Sequence, residues 1–418
     1  MRVAFLVAEL GRSGGMGVIR GWARRLDDAE LVVCGAGPDL PSDVDGVPVR
    51  SLGATAGDEV DVAVATWWPT TEALWDVAAR GRVALLQSLD QRYYRNDEPA
   101  DRLGAAAVLD LPVGFVAVSD HLARVVEAWR GETDVVRVVS PGIDKDVFAA
   151  APARAGGGPV RVLVEGHAGM WFKGVAEAVA AVRRMRAPAT VTVVGAEPSA
   201  ATDLGVDSVR GGLSPREMAA VYAEHDVLLK LSRFEGLGLP VLEALHVGRP
   251  VVTTPVGGAA GIVEHGVNGF VVGFDDQPGT VEALDRLAGD PELRARLGAG
   301  ARATAARWPS AAEGATAFAA ALASLLDADP PDPDAALRRL ARARRRTIET
   351  VRQEEWRRRG AEGETAWWKD AWRQADERNA EYDRWARELR ARIDELQRRP
   401  GFRLEDAIKR AGRAGRRR

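Results

Sequence analysis

The sequence predicts an α/β protein made of two doubly wound domains that face each other across a cleft, followed by a helical tail. Short apolar runs alternate with segments of helical spacing, which is typical of parallel sheets covered by helices. The alternation stops at a segment rich in proline and glycine, residues 151–159, and then starts again. A proline-rich acidic segment then separates the second domain from the tail. We therefore predict domains at 1–150 and 151–326, a linker at 327–334 and a tail at 335–418.

The first domain is predicted to contain six buried strands with helices between them. The strand-like runs are residues 3–10, 29–35, 60–66, 82–88, 114–119 and 135–142. Helical spacing is found at residues 18–26, 71–81 and 121–131.

The second domain repeats the same pattern at a similar size. Its strand-like runs are residues 160–166, 189–195, 225–231, 249–255 and 269–273. Helical spacing is found at residues 174–185, 214–225 and 239–248, and further helices extend to about residue 326, the last of which can cross back to the first domain. Two sheets of this kind bind ligands at the carboxyl ends of their strands, in the cleft between the domains.

The composition indicates an ordinary soluble protein of a reducing compartment. Of the 418 residues, 46% are hydrophobic and 28% are charged. Cys34 is the single cysteine, which excludes an internal disulfide framework and a zinc site built from cysteines. The opening run 1–10 is better interpreted as a first core strand than as a signal peptide, because its apolar part is short. We therefore expect a cytoplasmic protein without a transmembrane segment.

The net charge of −3 conceals two parts of opposite sign. The tail, residues 335–418, carries 26 Lys and Arg against 15 Asp and Glu, which is a net charge of +11. Residues 1–334 carry a net charge of −14. The acidic body and the basic tail are therefore treated as separate parts of the chain, and the role of each is considered separately.

A glycine-rich segment, residues 11–17, follows the first strand and precedes the first helix. Gly14 and Gly15 would let the backbone approach a ligand, and the helix N-terminus offers free amides to an anion. A dinucleotide site is not supported, because the glycine spacing differs and the second strand ends without an acidic residue. The segment is either a phosphate-binding loop or a glycine-rich turn.

Lys173 follows the first strand of the second domain and is one of only five lysines in the chain. An ammonium at a strand-to-helix crossover is a suitable point charge for a diphosphate. The alternative is an ordinary solvated lysine at the start of a helix.

Two glutamates, Glu235 and Glu243, lie in the segment RFEGLGLPVLEAL at residues 233–245. Glu235 follows a buried strand, and Glu243 lies one turn into the next helix. The amides of Gly238 and Leu239 at the start of that helix would face an anion. Carboxylates accept hydrogen bonds from hydroxyl groups with charge assistance, so the pair indicates a sugar and a ribose. Together with Lys173, the segment predicts a pocket for a nucleotide sugar.

The segment FEGLGLPVLEAL and the following GRPVVTTPVGGAAGIVEHGVNGFVV resemble the donor-site signature of retaining glycosyltransferases with the GT-B fold. The hallmark of that family is a Glu-x7-Glu pair, which Glu235 and Glu243 match. The resemblance covers residues 1–326 and includes the domain-connecting segment 138–148. ATWWPTTEAL and LLQSLDQRYY in the first domain are similar to a bacterial branch that contains polysaccharide and rhamnosyltransferases.

The resemblance implies a role for each matched residue. Glu243 would bind the ribose and Glu235 the hydroxyls of the transferred sugar. Lys173 would hold the diphosphate, assisted by Gly15 and the amide of Leu239. No metal and no other cofactor are expected.

The sequence departs from the family pattern at two places. His167 stands where many members have an arginine, which weakens the anion site unless this histidine is protonated or Arg233 replaces it. Many members also have a histidine in the acceptor-side loop, where this chain offers Gln87, Asp90 and Trp67.

We therefore predict a retaining glycosyltransferase, of the kind that transfers hexoses and related sugars. It would move a sugar from a nucleoside diphosphate to a hydroxyl acceptor, such as a cell-surface polysaccharide or a lipid-linked glycan. One alternative is another nucleotide-sugar enzyme of the same fold, such as an epimerase. The other is a non-catalytic scaffold that is recruited through its tail.

The tail combines arginine with five tryptophans, and one helical face is predicted to carry an apolar stripe. Three interpretations remain open: attachment to an anionic membrane surface, packing onto the acidic body, and self-association as a coiled coil. The first would place the protein at the inner face of the membrane. Nothing else in the chain supports nucleic-acid binding. The tryptophans are Trp356, Trp367, Trp368, Trp372 and Trp385, and the stripe is Tyr382, Trp385, Leu389, Ile393 and Leu396.

Overall fold

The computed structural model describes residues 1–359 and 391, apart from residues 12, 36–38, 56, 96–97, 132–133, 153–157, 260 and 329–332. The chain divides into two units, residues 1–344 and 345–418. Both β-sheets lie in the first unit. In the second unit, the Arg345 guanidinium donates to the Glu349 carboxylate one helical turn later, at 3.1 Å.

The first sheet has eight strands and is parallel except at one edge. Its strands are β1 (Arg2–Val7), β2 (Asp28–Val33), β3 (Asp43–Val44), β4 (Val47–Ser51), β5 (Glu59–Ala65), β6 (Ala78–Leu86), β7 (Gly114–Ala117) and β8 (Val136–Val138). The spatial order is β3-β4-β2-β1-β5-β6-β7-β8. The chain reverses direction across the sheet between β1 and β5, so ligand-binding loops are expected at the carboxyl ends of these two strands.

The second sheet has six parallel strands. They are β9 (Val160–Glu165), β10 (Ala189–Val194), β11 (Ser208–Arg210), β12 (Val227–Lys230), β13 (Val251–Thr253) and β14 (Gly269–Val271). Their order is β11-β10-β9-β12-β13-β14, with the reversal between β9 and β12.

Ten α-helices accompany the two sheets in the part of the chain that the structure describes. They are α1 (Gly14–Ala23), α2 (Pro99–Ala107), α3 (Asp120–Arg130), α4 (Val175–Arg183), α5 (Pro215–Glu224), α6 (Leu239–Val247), α7 (Gln277–Gly289), α8 (Pro291–Arg307), α9 (Ala311–Leu326) and α10 (Pro333–Arg359). Short polar side chains fix several starts. Ser13 accepts a hydrogen bond from the Met16 amide, and Ser214 forms a capping box with Glu217.

Helix α9 returns the chain from the second sheet to the first. Phe318 of this helix is fully buried and stacks on Trp22 and Phe5, with ring centroids 4.2 and 5.7 Å apart. The domain-connecting segment packs closely against the start of this helix. A Cβ on Gly142 would lie only 1.8 Å from the carbonyl oxygen of Ser310, the residue that caps the helix. The two domains are therefore tied together by a shared core as well as by the chain itself.

The prediction of two doubly wound α/β domains is confirmed. Every predicted strand is present, whereas the predicted helix at 71–81 is wrong. A 3₁₀ helix, Trp68–Trp75, occupies part of this segment, and β6 begins at Ala78. The hydroxyls of Thr70 and Thr71 donate to carbonyl oxygens three residues earlier, which stabilises the tighter turn. The strands β3, β4 and β11 and the helix α2 were not predicted.

Most of the tail lies outside the described residues. This applies to the membrane, packing and coiled-coil interpretations that rest on Trp367, Trp368, Trp372, Trp385 and the predicted apolar stripe. In the described part of the chain, no helix combines the length and the apolar character needed to cross a bilayer.

Candidate functional site

The carboxyl ends of β9 and β12 bring the two central residues of the predicted site together. The loop after β9 carries Lys173, and the loop after β12 carries Glu235. The Lys173 ammonium nitrogen lies 2.9 Å from Oε1 and 3.2 Å from Oε2 of Glu235. This ion pair joins residues 62 positions apart at the point where the sheet reverses direction.

A second lysine, Lys230, contacts the same carboxylate from the end of β12. Its side chain is 1% exposed. Its ammonium nitrogen lies 3.1 Å from Oε1 of Glu235 and 2.7 Å from Oε2 of Glu165, the last residue of β9. The Ser232 hydroxyl also donates to Oε1 of Glu235, at 2.8 Å.

These partners decide the charge of Glu235. Burial alone would raise the pKa of this carboxyl, but Lys230 and Lys173 outweigh it and lower the pKa to about 2. Burial would likewise lower the pKa of Lys230, and the carboxylates of Glu165 and Glu235 raise it above its ordinary value. Glu235 and Lys230 are therefore both ionised at neutral pH.

Glu243 lies in a different environment. It is partly buried on α6, and the hydroxyl of the buried Tyr222 donates to its Oε2 at 2.9 Å. Burial, reinforced by the negative charge of Glu165, raises the pKa of Glu243 to about 8. The pKa values of the two glutamates of the motif are thus shifted in opposite directions, downward for Glu235 and upward for Glu243.

The glycine-rich segment of the first domain lies against the second domain. A Cβ on Gly14 would lie 3.8 Å from the Leu239 side chain, and one on Gly15 would lie 3.1 Å from the Gln87 amide oxygen. Helix α1 therefore starts close to the start of α6. The residue before α6, Gly238, has a positive φ of 87°, which glycine adopts without strain. The structure brings these five predicted residues together.

His167 and Arg233 are held by partners of their own. Nδ1 of His167 accepts the Gly169 amide at 3.0 Å, which assigns the proton of the neutral tautomer to Nε2. Nε2 lies 3.3 Å from the Glu197 carboxylate. The Arg233 guanidinium donates to both carboxylate oxygens of Asp275, at 3.1 and 2.5 Å.

Four aromatic rings connect the two domains beside the ion pair. Tyr93, from the first domain, stacks on Phe172 at 5.0 Å, and Phe172 stacks on Phe234 at 4.5 Å. Trp171 packs edge-on against Phe172 and donates its indole N–H to the Tyr93 carbonyl oxygen at 3.3 Å. Phe172 and Phe234 are the sequence neighbours of Lys173 and Glu235, so this cluster fixes the loops that carry them.

Two of the three predicted acceptor-side residues line a cavity in the first domain. Asp90 and Trp67 belong to this lining, and Gln87 lies next to Gly15 at the end of β6. The Asp90 carboxylate accepts the Trp68 amide at 3.3 Å, and burial raises the pKa of Asp90 to about 7. Trp67 follows β5 and is 42% exposed.

Four residues of this site were not predicted from the sequence: Lys230, Glu165, Ser232 and Tyr222. Lys230 had a visible signal, because a lysine within an otherwise apolar buried run needs a buried partner. Glu165 had none, since its pairing depends on the adjacency of β9 and β12. In the part of the chain that the structure describes, no three His, Cys, Asp or Glu residues are grouped as metal ligands would be.

Comparisons with known proteins agree with this architecture. The model of the family "Glycosyl transferases group 1" matches residues 160–290, which contain the ion pair and both glutamates of the motif. D-inositol 3-phosphate glycosyltransferase of Stackebrandtia nassauensis is 32% identical over 312 residues, which cover 65% of this chain and 70% of that protein. The enzyme of the same name from Frankia alni is 28% identical over 319 residues, 66% of this chain and 78% of that protein.

Solved structures show the same fold at lower identity. HepE of Anabaena, solved with UDP and glucose, has a TM-score of 0.65 at 17% identity and covers 78% of this chain and 100% of its own. Sucrose-phosphate synthase of Thermosynechococcus elongatus has a TM-score of 0.66 at 16% identity, with the same coverage. By its sequence and its fold, the chain belongs to the group 1 glycosyl transferases and has the GT-B fold.

Proposed function

We propose that this glycosyltransferase moves a sugar from a nucleoside diphosphate to a hydroxyl acceptor with retention of configuration. The observation that carries the proposal is the Lys173–Glu235 ion pair at the carboxyl end of the second sheet. The pair offers a cation for a diphosphate and a carboxylate for sugar hydroxyls within one hydrogen-bond length of each other. The UDP and glucose bound by HepE, which shares the fold, support this class of donor.

Seven of the predicted donor-side residues have a proposed role. Lys173 binds the diphosphate, together with the amides of Gly238 and Leu239 at the positive end of α6. Glu235 accepts hydrogen bonds from the hydroxyls of the transferred sugar, and Glu243 binds the ribose. Gly14 and Gly15 leave room for the donor beneath the start of α1.

The proposed chemistry depends on the charge of the leaving group. Negative charge develops on the diphosphate as its bond to the sugar breaks, and Lys173 with the helix amides stabilises that charge. Glu235 stays ionised and orients the sugar without attacking it. Closure of the two domains excludes water, which would otherwise compete with the acceptor. The proposal assigns no role to a metal, because these groups supply the positive potential.

For the acceptor we propose an uncharged glycan, as part of a polysaccharide or a lipid-linked precursor. The described residues that line the first-domain cavity include the Asp90 carboxyl and no lysine or arginine, so they favour hydroxyl groups over a phosphate. Trp67 offers an exposed ring for stacking on a sugar face. The Stackebrandtia and Frankia relatives are named for D-inositol 3-phosphate, which shares the hydroxyl groups and differs by its charge.

For the tail we propose attachment to the inner face of an anionic membrane. The proposal rests on its net charge of +11 and its tryptophans. We expect the full-length protein to sediment with vesicles that contain anionic lipid and to be released by salt. Equal binding to neutral vesicles would contradict this.

A thermal-shift panel tests the donor. UDP-, GDP- and dTDP-sugars are added to wild type and to the Glu243→Ala and Lys173→Ala variants, because a ligand that binds the native state raises the melting temperature. We expect one nucleotide family to raise the melting temperature of wild type, and both variants to lose the shift. If no nucleotide sugar binds, with or without lipid, the scaffold interpretation replaces the enzyme. Retention is then tested on the product by the NMR coupling of its anomeric proton.

A further inference from the structure

Lys230 is a fully buried lysine at the end of β12. All four residues of β12 are buried, and the Lys230 side chain is 1% exposed. A buried ammonium is costly unless it is paired and hydrogen-bonded. The proposed transfer reaction assigns Lys230 no role, although it contacts the carboxylate that would hold the sugar.

The hydrogen bonds of Lys230 exclude direct contact with a ligand. A lysine ammonium has three N–H donors. Three acceptors surround it: Oε2 of Glu165 at 2.7 Å, the main-chain oxygen of Glu165 at 3.2 Å, and Oε1 of Glu235 at 3.1 Å. Lys173 differs, because its side chain is 23% exposed and both of its short contacts are to a single carboxylate.

The groups that face Glu235 come from several elements. The loop after β9 contributes Lys173, β12 contributes Lys230, and the following loop contributes Ser232. The Tyr93 hydroxyl of the first domain is close enough to interact electrostatically with Glu235. Lys173 and Lys230 are thus the cations that contact this carboxylate in the part of the chain that the structure describes.

We propose that Lys230 is a positioning residue that keeps Glu235 ionised and oriented while Lys173 turns from Glu235 to the diphosphate of the donor. This inference rests on the proposed function. A diphosphate and a carboxylate would otherwise compete for one ammonium, and the incoming negative charge would favour protonation of Glu235. With Lys230 fixed by Glu165, each anion has its own cation. Glu165 therefore acts on the sugar site through Lys230.

The test needs a variant that removes Lys230 without leaving Glu165 as a lone buried charge. The double variant Glu165→Gln/Lys230→Met removes both charges. Lys230→Arg keeps the cation, and Lys145→Met serves as a control because the Lys145 ammonium contacts the Ala306 carbonyl oxygen instead. Melting temperatures establish that each variant folds.

The first readout needs no ligand. Carbon-13 NMR follows the titration of the Glu235 carboxyl in the full chain of wild type, of Lys173→Met, and of Lys173→Met combined with the double variant. We expect Glu235 to remain ionised at pH 5 in Lys173→Met and to titrate at a much higher pH in the triple variant. Equal titration of Glu235 in Lys173→Met and in the triple variant would overturn the proposal. If the double and triple variants do not fold, protonation of Glu235 at pH 5 in Lys173→Met alone overturns it.

The second readout compares UDP-glucose with UDP between pH 5 and 8. We expect the double variant to bind UDP as wild type does and to lose about tenfold in its preference for UDP-glucose, most strongly at low pH, which corresponds to one pKa unit of Glu235. Lys230→Arg, which keeps the cation, should keep the wild-type preference for UDP-glucose. An unchanged preference at every pH would overturn the proposal. If wild type binds neither probe, this donor is wrong, and the titration still decides the role of Lys230.

Discussion

The Ser119 hydroxyl donates a hydrogen bond of 2.8 Å to the main-chain carbonyl oxygen of Gly236. Ser119 ends the loop between β7 and α3 in the first domain, and Gly236 follows Glu235 in the second. The carboxylate proposed to hold the sugar is therefore adjacent to a direct contact between the domains. Gly236 thus joins Glu235 directly to the first domain, so a movement of one domain against the other would act on Glu235 through this residue.

Gly236→Ala is expected to open this contact. A Cβ at Gly236 would lie 1.7 Å from the Gln87 carbonyl oxygen, and backbone atoms cannot move aside without separating the domains. We expect a loss of about 1–3 kcal/mol in the free energy of unfolding, together with loss of the thermal shift caused by UDP-glucose. Both are measured by thermal unfolding.

Gly21→Ala is the matched control for Gly236→Ala. Gly21 lies within α1, and a Cβ there meets nothing within 4 Å. Alanine should therefore stabilise the helix by about 0.5–1 kcal/mol. A Gly236→Ala protein as stable as wild type, with normal ligand shifts, would contradict the close contact.

Glu243→Gln should change how stability depends on pH. The pKa of Glu243 is raised to about 8 in the folded protein, whereas an unfolded glutamate has a value near about 4.3. Between these values the folded protein holds a proton that the unfolded chain has released. The free energy of unfolding therefore falls as pH rises, by up to ~1.4 kcal/mol per pH unit.

Glutamine cannot titrate, so Glu243→Gln should gain stability relative to wild type as pH rises from 5 to 8. Chemical unfolding at several pH values measures the difference. Glu282→Gln, at an exposed position on α7, should keep the pH dependence of wild type. A constant difference between Glu243→Gln and wild type at all pH values would show that Glu243 is ionised in the folded protein.

Trp67→Ala is expected to weaken acceptor binding selectively. Its ring is exposed at the carboxyl end of β5, beside the cavity that contains Asp90. Loss of stacking on a sugar should raise KM for a glycan acceptor by about tenfold, while the KM for the donor stays unchanged. Trp75→Ala is the control, because Trp75 is exposed to a similar extent, at 39%, and is not among the residues that line the cavity. Equal effects of the two substitutions would remove Trp67 from the acceptor site.

The sequence predicts the fold well because the strands of both sheets are buried and apolar. Glu235, Lys173 and the start of α6 could be located because each follows a predicted strand. The ion pair between Glu165 and Lys230 could not be predicted from the sequence. These residues are 65 positions apart and meet only through the pairing of β9 with β12. The short hairpin of β3 and β4 was also not predicted, although Asp-Gly is a dipeptide typical of two-residue hairpin turns. In the structure both turn residues, Asp45 and Gly46, have the positive φ that such hairpins require.

The protonation of His167 determines whether this side chain adds a positive charge to the proposed donor site. As long as Nδ1 accepts the Gly169 amide, this nitrogen holds no proton and the ring adds no charge to a diphosphate site. His167→Gln should therefore leave UDP binding unchanged between pH 6 and 8.

His167→Arg adds a guanidinium that can pair with a phosphate and should tighten UDP binding about tenfold, corresponding to about 1.4 kcal/mol for one charge-assisted hydrogen bond. Calorimetry with UDP measures both variants. If His167→Gln weakens binding as the pH falls to 6, the histidine is protonated in the complex, and its hydrogen bond from Gly169 must break when the donor binds.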